Sequence, residues 1–442
     1  MSYQEFFAGK KITLLGLGLL GRGVGDAEFL AQTGAQVLVT DMKTERELEA
    51  SVDKLKSYPN ISFFLGGHRT EDFTACDMVI KAAGVPPVSP QIKEARAANV
   101  PVYMSTALFA KFAKEAGATI VGVTGTRGKS TVTNMIYHTL QFAREHSDNL
   151  KNAGVFLGGN VRGVSTLAQL PQVKKGDICV LELDSWQLQG FGDLQMSPDV
   201  SVFTNLMPDH LNYYPNMNAY FADKANIFKY QTQNDSLIVG DTIVDKVRAE
   251  TPLSNPTLPT PLPLDMELRI PGEHNRANAA LAAAALKALK VPEDLIRKGL
   301  ETFPGVEGRL QFIREFHQVK IYNDNNATTP EATIAALSSF PERTIILICG
   351  GSDKGLDLDE LVNEVQRTCK KVVLLAGTGT AKLQPRFAVP VHDSLKSAFD
   401  DAVADAKPGD VILFSPAFAS FGMFKNEYDR NDQFLAQVKA LA

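Results

Sequence analysis

Four short segments carry residues whose types and spacing can do chemistry. In Thr124-Gly125-Thr126-Arg127-Gly128-Lys129-Ser130-Thr131 the glycines free backbone N–H groups to cradle phosphates. Lys129 can neutralise β- and γ-phosphate oxygens there, and the Ser130 hydroxyl can ligate magnesium. Val123 stands where the general G-x-x-x-x-G-K-[ST] loop has its first glycine, so the segment is the shorter T-G-T-x-G-K-S-T form. Glu182 ends an apolar run, and His210 closes Asn205-Leu206-Met207-Pro208-Asp209-His210 after the next one. A carboxylate and a neutral imidazole so placed can hold magnesium against nucleotide phosphates. Alone, His210 reads equally well as a capping or packing residue, and Lys224, fourteen residues on, as an ordinary solvated lysine. Nearer the start, Gly16-Leu17-Gly18-Leu19-Leu20-Gly21 matches G-x-G-x-x-G, and Asp41 ends the following strand-like run. Such glycines let the backbone approach a diphosphate at a helix N-terminus, and the carboxylate can reach a ribose or base. By itself the motif also fits a nicotinamide dinucleotide or a purely structural turn, and Asp41 a solvated strand end.

These residues need a scaffold that gathers strand ends. Strand-like and helix-like runs alternate along nearly the whole chain, the pattern of βα units and parallel sheets. Strands are expected at 12–16, 36–40, 78–81 and 102; at 119–124, 178–183, 200–204 and 237–240; and at 320–322, 344–349, 372–375 and 411–414. Helices are expected at 24–32, 90–98, 218–228 and the alanine-rich 275–289. Residues at the carboxyl ends of parallel strands share one crevice, which would set Glu182 and the 205–210 segment beside the phosphate loop. Five prolines between 252 and 263 exclude a helix interior or central strand and predict an extended surface loop. The fold class expected is α/β in three domains: a Rossmann-like domain over 1–113, a central P-loop ATPase-like parallel sheet over 114–305, and a Rossmann-like C-terminal domain over 306–442.

The 442 residues suit three domains at roughly 150 residues each. With 45 basic and 50 acidic residues, the net charge of −5 argues against a nucleic-acid partner. No apolar run reaches the ~20 residues of a bilayer span, and the glycine-broken stretch 12–20 lacks a signal-peptide cleavage pattern. Cys76, Cys179, Cys349 and Cys369 are too scattered for a disulfide framework or a zinc ribbon. A cytoplasmic protein without membrane association is expected.

Taken together and in this order, the motifs resemble the Mur ligase family, ATP-dependent enzymes of peptidoglycan precursor synthesis. The likeness spans the chain through Gly16–Gly21, Thr124–Thr131, Gly158-Gly159-Asn160, Glu182–Gln187, Asp209-His210, Lys224, His274-Asn275, Asn323-Asp324, Gly350–Lys354 and Ser415–Asn426. It is greatest to the members that join D-glutamate to UDP-N-acetylmuramoyl-L-alanine through an acyl phosphate, as monomers. The resemblance implies that the glycine turn serves UDP and not NAD, with Leu19, Leu20 and Asp41 near the uridine. It implies ATP phosphates on Gly125, Thr126, Arg127, Gly128, Lys129, Ser130 and Thr131, with Asn275 and Asn278 near adenine and Arg309 and Asp324 near the nucleotide. Two magnesium ions are implied, one on Ser130 and Glu182, the other on His210 and a carbamylated Lys224. Lys129, His210 and Lys224 would be catalytic. Asn160, Gln187 and His210 would face the muramoyl-alanine end, and Thr328, Lys354 and Ser420 the incoming amino acid. Closure of the C-terminal block about a hinge near Gly305–Gly308 is expected to keep water from the acyl phosphate.

The chain departs from the family pattern at Asn326, where a lysine is usual, at Gly308-Arg309 for His-Arg, at Glu427 for an aromatic, and at Ala82-Ala83-Gly84 for Ser-Pro-Gly. A lost lysine and a gained glutamate near the amino-acid pocket weaken the attraction for a dicarboxylic acceptor. A Mur-type ligase adding another amino acid therefore stays open. An NAD-dependent dehydrogenase explains Gly16–Gly21 but leaves the loop around Lys129 unused. A folylpolyglutamate synthase shares the loop and the lysine but begins directly with its ATPase domain. A non-catalytic or amidating partner subunit of Mur type would carry a four-cysteine zinc insertion.

Overall fold

Short β-branched and apolar runs form the strands of three sheets, the central ones buried on both faces. The computed structural model describes residues 2–18, 21–161, 163–209, 213–250 and 256–441. These residues fall into two units, Met1–Thr260 with Ala280–Gly299, and Pro261–Ala279 with Leu300–Ala442.

The first unit holds two five-stranded parallel sheets. One comprises β1 (Lys11–Leu15), β2 (Gln36–Asp41), β3 (Ile61–Leu65), β4 (Met78–Lys81) and β5 (Val102–Tyr103), in the order β3-β2-β1-β4-β5. The winding direction switches between β1 and β4, and ligands in open α/β sheets sit outside the carboxyl ends at such a point. The other sheet comprises β6 (Thr119–Thr124), β7 (Val155–Gly159), β8 (Ile178–Glu182), β9 (Val200–Phe203) and β10 (Ser236–Val239), ordered β10-β9-β6-β8-β7. Every residue of β8 and β9 is buried, and β6 lies between them. The ends of these three strands therefore converge.

The second unit holds a six-stranded sheet of β11 (Gln311–Phe316), β12 (Val319–Asn323), β13 (Ile345–Cys349), β14 (Cys369–Leu375), β15 (Val391–His392) and β16 (Val411–Phe414), ordered β11-β12-β16-β13-β14-β15. All its pairings are parallel except the β11–β12 hairpin.

The α/β class and three-domain architecture match the sequence reading. Strands β3, β7, β11 and β15 escaped it for local reasons. β3 and β11 are partly buried, without a clean alternation, β7 ends in Gly158-Gly159, and β15 is two residues long. In the proline-rich stretch, Thr257 pairs with the edge strand β10, its N–H donating to Leu237 O at 2.7 Å. Residues 251–255 lie outside the described residues. Among the described residues no helix is long and apolar enough to cross a membrane, and all four cysteines are free thiols.

Candidate active site

The phosphate loop leaves β6 and enters the helix Lys129–His146. Gly125 (φ +145°) and Gly128 (φ +82°) occupy backbone conformations that L side chains rarely adopt. A Cβ on Gly125 would lie 1.9 Å from Thr204 Oγ1, so only glycine lets the loop lie this close to the end of β9. That closeness is used. The Thr204 hydroxyl donates to Arg127 O at 2.5 Å, the Arg127 N–H to Asn205 Oδ1 at 2.9 Å, and the Thr126 N–H to Asn205 O at 2.9 Å. The Thr126 hydroxyl accepts from the Met207 N–H at 2.9 Å. Thr204 and Asn205 thus shape the loop from a neighbouring strand. Sequence reading placed them only as a lead-in to His210, because β6–β9 pairing was not visible to it.

Two lysines meet at one oxygen of this loop. Lys129 Nζ donates to the carbonyls of Gly125 and Thr126, both at 3.0 Å. Lys224, on the helix Met217–Ala225, donates to the same Gly125 carbonyl at 2.8 Å and reaches Thr124 Oγ1 at 3.4 Å. Lys224 is 1% exposed and so is no solvated lysine. Burial, followed by repulsion from Lys129, holds its pKa down to about 7 against the pull of Asp184, Asp209 and Asp223. It therefore reaches its neutral, nucleophilic amine form much nearer neutral pH than an exposed lysine does. Its neighbour Asp223 accepts from Gln189 Nε2 at 2.7 Å and Tyr214 OH at 2.9 Å.

Glu182 ends β8, which pairs with β6, and is 5% exposed. The backbone there is tightly packed. The Asn160 N–H donates to Glu182 O at 2.7 Å, and a Cβ on Gly159 (φ +83°) would lie 2.1 Å from that oxygen. Ser130 occupies the first turn of the loop's helix. Carboxylate, hydroxyl and phosphate oxygens are the hard donors that magnesium prefers, so this set fits the ion. Among the described residues no group of three or more His, Cys, Asp and Glu side chains could hold a metal. His210 lies outside the described residues, as do Leu19 and Leu20 of the glycine turn.

A cavity of about 280 Å³ in the same unit is lined by Gly16–Gly18, Asp41, the Ala82–Gly84 turn, Gly159 and Gln187 among others. Asp41 is no solvated strand end. It is 8% exposed, and its Oδ2 accepts the N–H groups of Leu17 at 2.9 Å and Gly18 at 3.2 Å, while Oδ1 accepts that of Lys43 at 2.9 Å. Asn160 Oδ1 accepts from Arg22 Nη1 at 3.2 Å. Gln187, 2% exposed, closes a capping box with Asp184 and donates from Nε2 to Thr106 Oγ1 at 3.3 Å.

In the second unit, Asn275 is buried near the start of the helix Glu273–Ala288 and donates to Pro271 O at 2.7 Å; Asn278 Nδ2 lies 3.5 Å from Asn275 Oδ1. Asp324, just past β12, accepts from the Leu310 N–H at 3.0 Å and the Ser415 hydroxyl at 2.8 Å. Burial pushes its carboxyl up to about 7, opposed by those hydrogen bonds and by Arg309. Lys354 Nζ donates to Thr328 Oγ1 at 3.0 Å, and Ser420 is buried. Asn326, in the place of the family's lysine, donates to Glu307 O at 3.2 Å.

Sequence reading missed Arg430. It is fully buried and donates from Nε to Asn325 Oδ1 (2.8 Å), from Nη2 to Asn325 O (2.9 Å) and from Nη1 to Phe418 O (3.0 Å). It ties the segment carrying Asp324 and Thr328 to the one carrying Ser420. Arg430→Met should leave these buried acceptors unsatisfied and lower stability by roughly 3 kcal/mol, read as a lower urea midpoint. No midpoint change would show that solvent or neighbours replace it.

Three family models match the chain: "Mur ligase MurD-like, N-terminal domain" over 10–104, "Mur ligase middle domain" over 123–260, and "Mur ligase, glutamate ligase domain" over 308–418. The UDP-N-acetylmuramoylalanine–D-glutamate ligase of Roseiflexus sp. (strain RS-1) is 37% identical over 478 residues, covering 98% of this chain and 99% of the relative. That of Geobacillus kaustophilus (strain HTA426) is 31% identical, covering 100% of both. Among solved structures, the UDP-N-acetylmuramate-alanine ligase MurC of Thermotoga maritima superposes with a TM-score of 0.57 at 20% identity, covering 98% of this chain and 99% of that one. The MurF ligase of Thermotoga maritima, in complex with ADP, gives 0.53 at 17%, covering 92% and 96%. At those identities the structures speak for the fold alone, whereas the full-length sequence matches go further: the chain belongs to the Mur ligase family of ATP-dependent ligases.

Proposed function

We propose that the chain joins D-glutamate to UDP-N-acetylmuramoyl-L-alanine, consuming ATP and giving ADP and phosphate, in peptidoglycan precursor synthesis. The observation that carries the chemistry is the convergence of Lys129 and Lys224 on the Gly125 carbonyl, beside the strand that ends in Glu182. Two ammonium groups at one buried oxygen favour an arriving anion or the loss of one positive charge. Supporting the acceptor assignment are relatives named for D-glutamate ligation over 97–100% of this chain.

In the reaction proposed, an oxygen of the alanyl carboxylate attacks the γ-phosphorus of ATP and ADP leaves. The amine of D-glutamate then adds to the acyl phosphate, and phosphate leaves from the tetrahedral intermediate. The first step brings an anion against an anion, so its barrier is largely electrostatic. Lys129 and the loop N–H groups hold the nucleotide phosphates and offset their charge. Ser130 and Glu182 would hold one magnesium ion, and Lys224, carbamylated, a second with His210. Bound magnesium neutralises phosphate charge and polarises the γ-phosphoryl group. Carbamylation turns the Lys129–Lys224 repulsion into attraction, and the neutral amine favoured by the lowered Lys224 pKa is the form that reacts with carbon dioxide. The remaining residues have supporting roles: Asp41, Asn160 and Gln187 shape the nucleotide-sugar cavity; Asn275, Asn278, Arg309 and Asp324 serve the nucleotide; Thr328, Lys354 and Ser420 the amino acid. Domain boundaries at 113/114 and 305/306, and action as a monomer in the cytoplasm, belong to the same reading.

The test is phosphate release from ATP and UDP-N-acetylmuramoyl-L-alanine against a panel of D- and L-amino acids. Release with D-glutamate well above all others is expected. Release with a different amino acid would support the second reading, which Asn326 and Glu427 favour, of a Mur-type ligase with another acceptor.

A further inference from the structure

The cavity of the first unit contains an ammonium group that its own walls leave poorly compensated. Lys81, the last residue of β4, is 2% exposed and lines the cavity. Its Nζ donates to Val85 O at 3.0 Å, and among the described residues it forms no ion pair. A buried charge without a counter-charge is costly, and an ammonium carries three donors of which this bond uses one. Burial lowers the Lys81 pKa to about 8, while Asp193, Asp184 and Asp223 act from farther off in the opposite direction.

Part of the glycine turn across the cavity is already engaged. The N–H groups of Leu17 and Gly18 are both spent on Asp41. Asp41 is in turn occupied by these amides, and burial pushes the carboxyl of Asp26 up, toward its neutral form. Among the described residues, the positively charged side chains on the walls are Arg22, engaged by Asn160, and Lys81. The two turns are close neighbours: Leu15 pairs with Lys81 across β1 and β4, and a Cβ on Gly16 would lie 3.0 Å from Ala82 Cβ.

We propose that Lys81 is the receptor for the diphosphate of the nucleotide-sugar substrate, the charge that makes this cavity select an anionic nucleotide over a neutral nucleoside. This deepens the ligase reading and rests on it for the ligand's identity.

Calorimetric titration of the full-length protein with UDP and with uridine tests it, on wild type, Lys81→Met and Lys81→Gln, with thermal unfolding of each ligand-free protein. Gln can still donate to Val85 O but carries no charge. Both variants should lose roughly 10- to 100-fold in UDP affinity, bind uridine as wild type does, and unfold at the same temperature or higher, because an uncompensated buried charge has gone. Equal UDP affinity in Lys81→Gln, or equal losses for UDP and uridine, would overturn the assignment. So would a fall in the unfolding temperature without selective loss of UDP, which marks a brace of the 82–85 turn. Wild type that binds UDP while the variants bind it equally sinks the Lys81 assignment alone; wild type that binds no UDP sinks the ligase reading with it.

Discussion

Lys224→Ala should lower kcat by about 10³-fold or more, and short carboxylic acids such as acetate should restore part of it. The magnitude follows from losing a ligand and a charge at the centre of a reaction whose barrier is electrostatic. Lys224 is 1% exposed and packed over the Tyr220 ring, its Nζ 4.7 Å from the centroid. Truncation therefore leaves a space in which a small carboxylate can stand in for a carbamate. Full activity of the variant would refute a role for Lys224, and inactivity without any rescue would remove the carbamate from the account. The pH dependence has a definite sign. Folding lowers the Lys224 pKa from 10.5 to about 7, so at fixed dissolved carbon dioxide the reactive amine increases from pH 6 to 8. The carbamate resonance from ¹³C-labelled carbon dioxide should grow over that range and be absent in Lys224→Ala. The same shift bears on stability. Between pH 7 and 10.5 the unfolded chain holds a proton that the folded chain has released, so this group's contribution rises with pH across that window and is lost as pH falls through about 7.

Lys129→Met should cost about 10³-fold in kcat/KM, and its effect should reach Lys224. With Lys129 gone, the repulsion that helps hold Lys224 neutral disappears, and so does the cation that would stabilise the carbamate. Both changes reduce carbamylation, so the labelled resonance should be weaker in Lys129→Met at the same pH. An undiminished resonance would show that the two lysines act independently, despite sharing the Gly125 carbonyl.

What could be read from the sequence was local. The Thr124–Thr131 loop, the placement of Glu182 at a strand end and the helix around Lys224 rest on contiguous residues, and the structure shows each. Residues working across strands were not legible in the same way. Thr204 and Asn205 shape the loop only because β9 lies beside β6. Asp41 ends the strand after the glycine motif and was expected to reach a ligand, yet its carboxylate closes the glycine turn from within. Arg430 looks like any helix-face arginine in sequence, and is buried because Asn325 and Phe418, more than 100 and 12 residues away, offer it three acceptors. The departures from the family pattern divide likewise. Asn326 found a partner in the Glu307 carbonyl, while the Ala82–Gly84 turn follows Lys81, whose Nζ donates to Val85 O.

The central claim is that the substrate carboxylate itself accepts the phosphoryl group before the amine displaces it. Substrate labelled with ¹⁸O in the alanyl carboxylate tests this in one turnover, by mass spectrometry of the released phosphate. The account predicts one ¹⁸O transferred into each phosphate, the other remaining in the new amide. Phosphate free of label, formed alongside amide product, would contradict it.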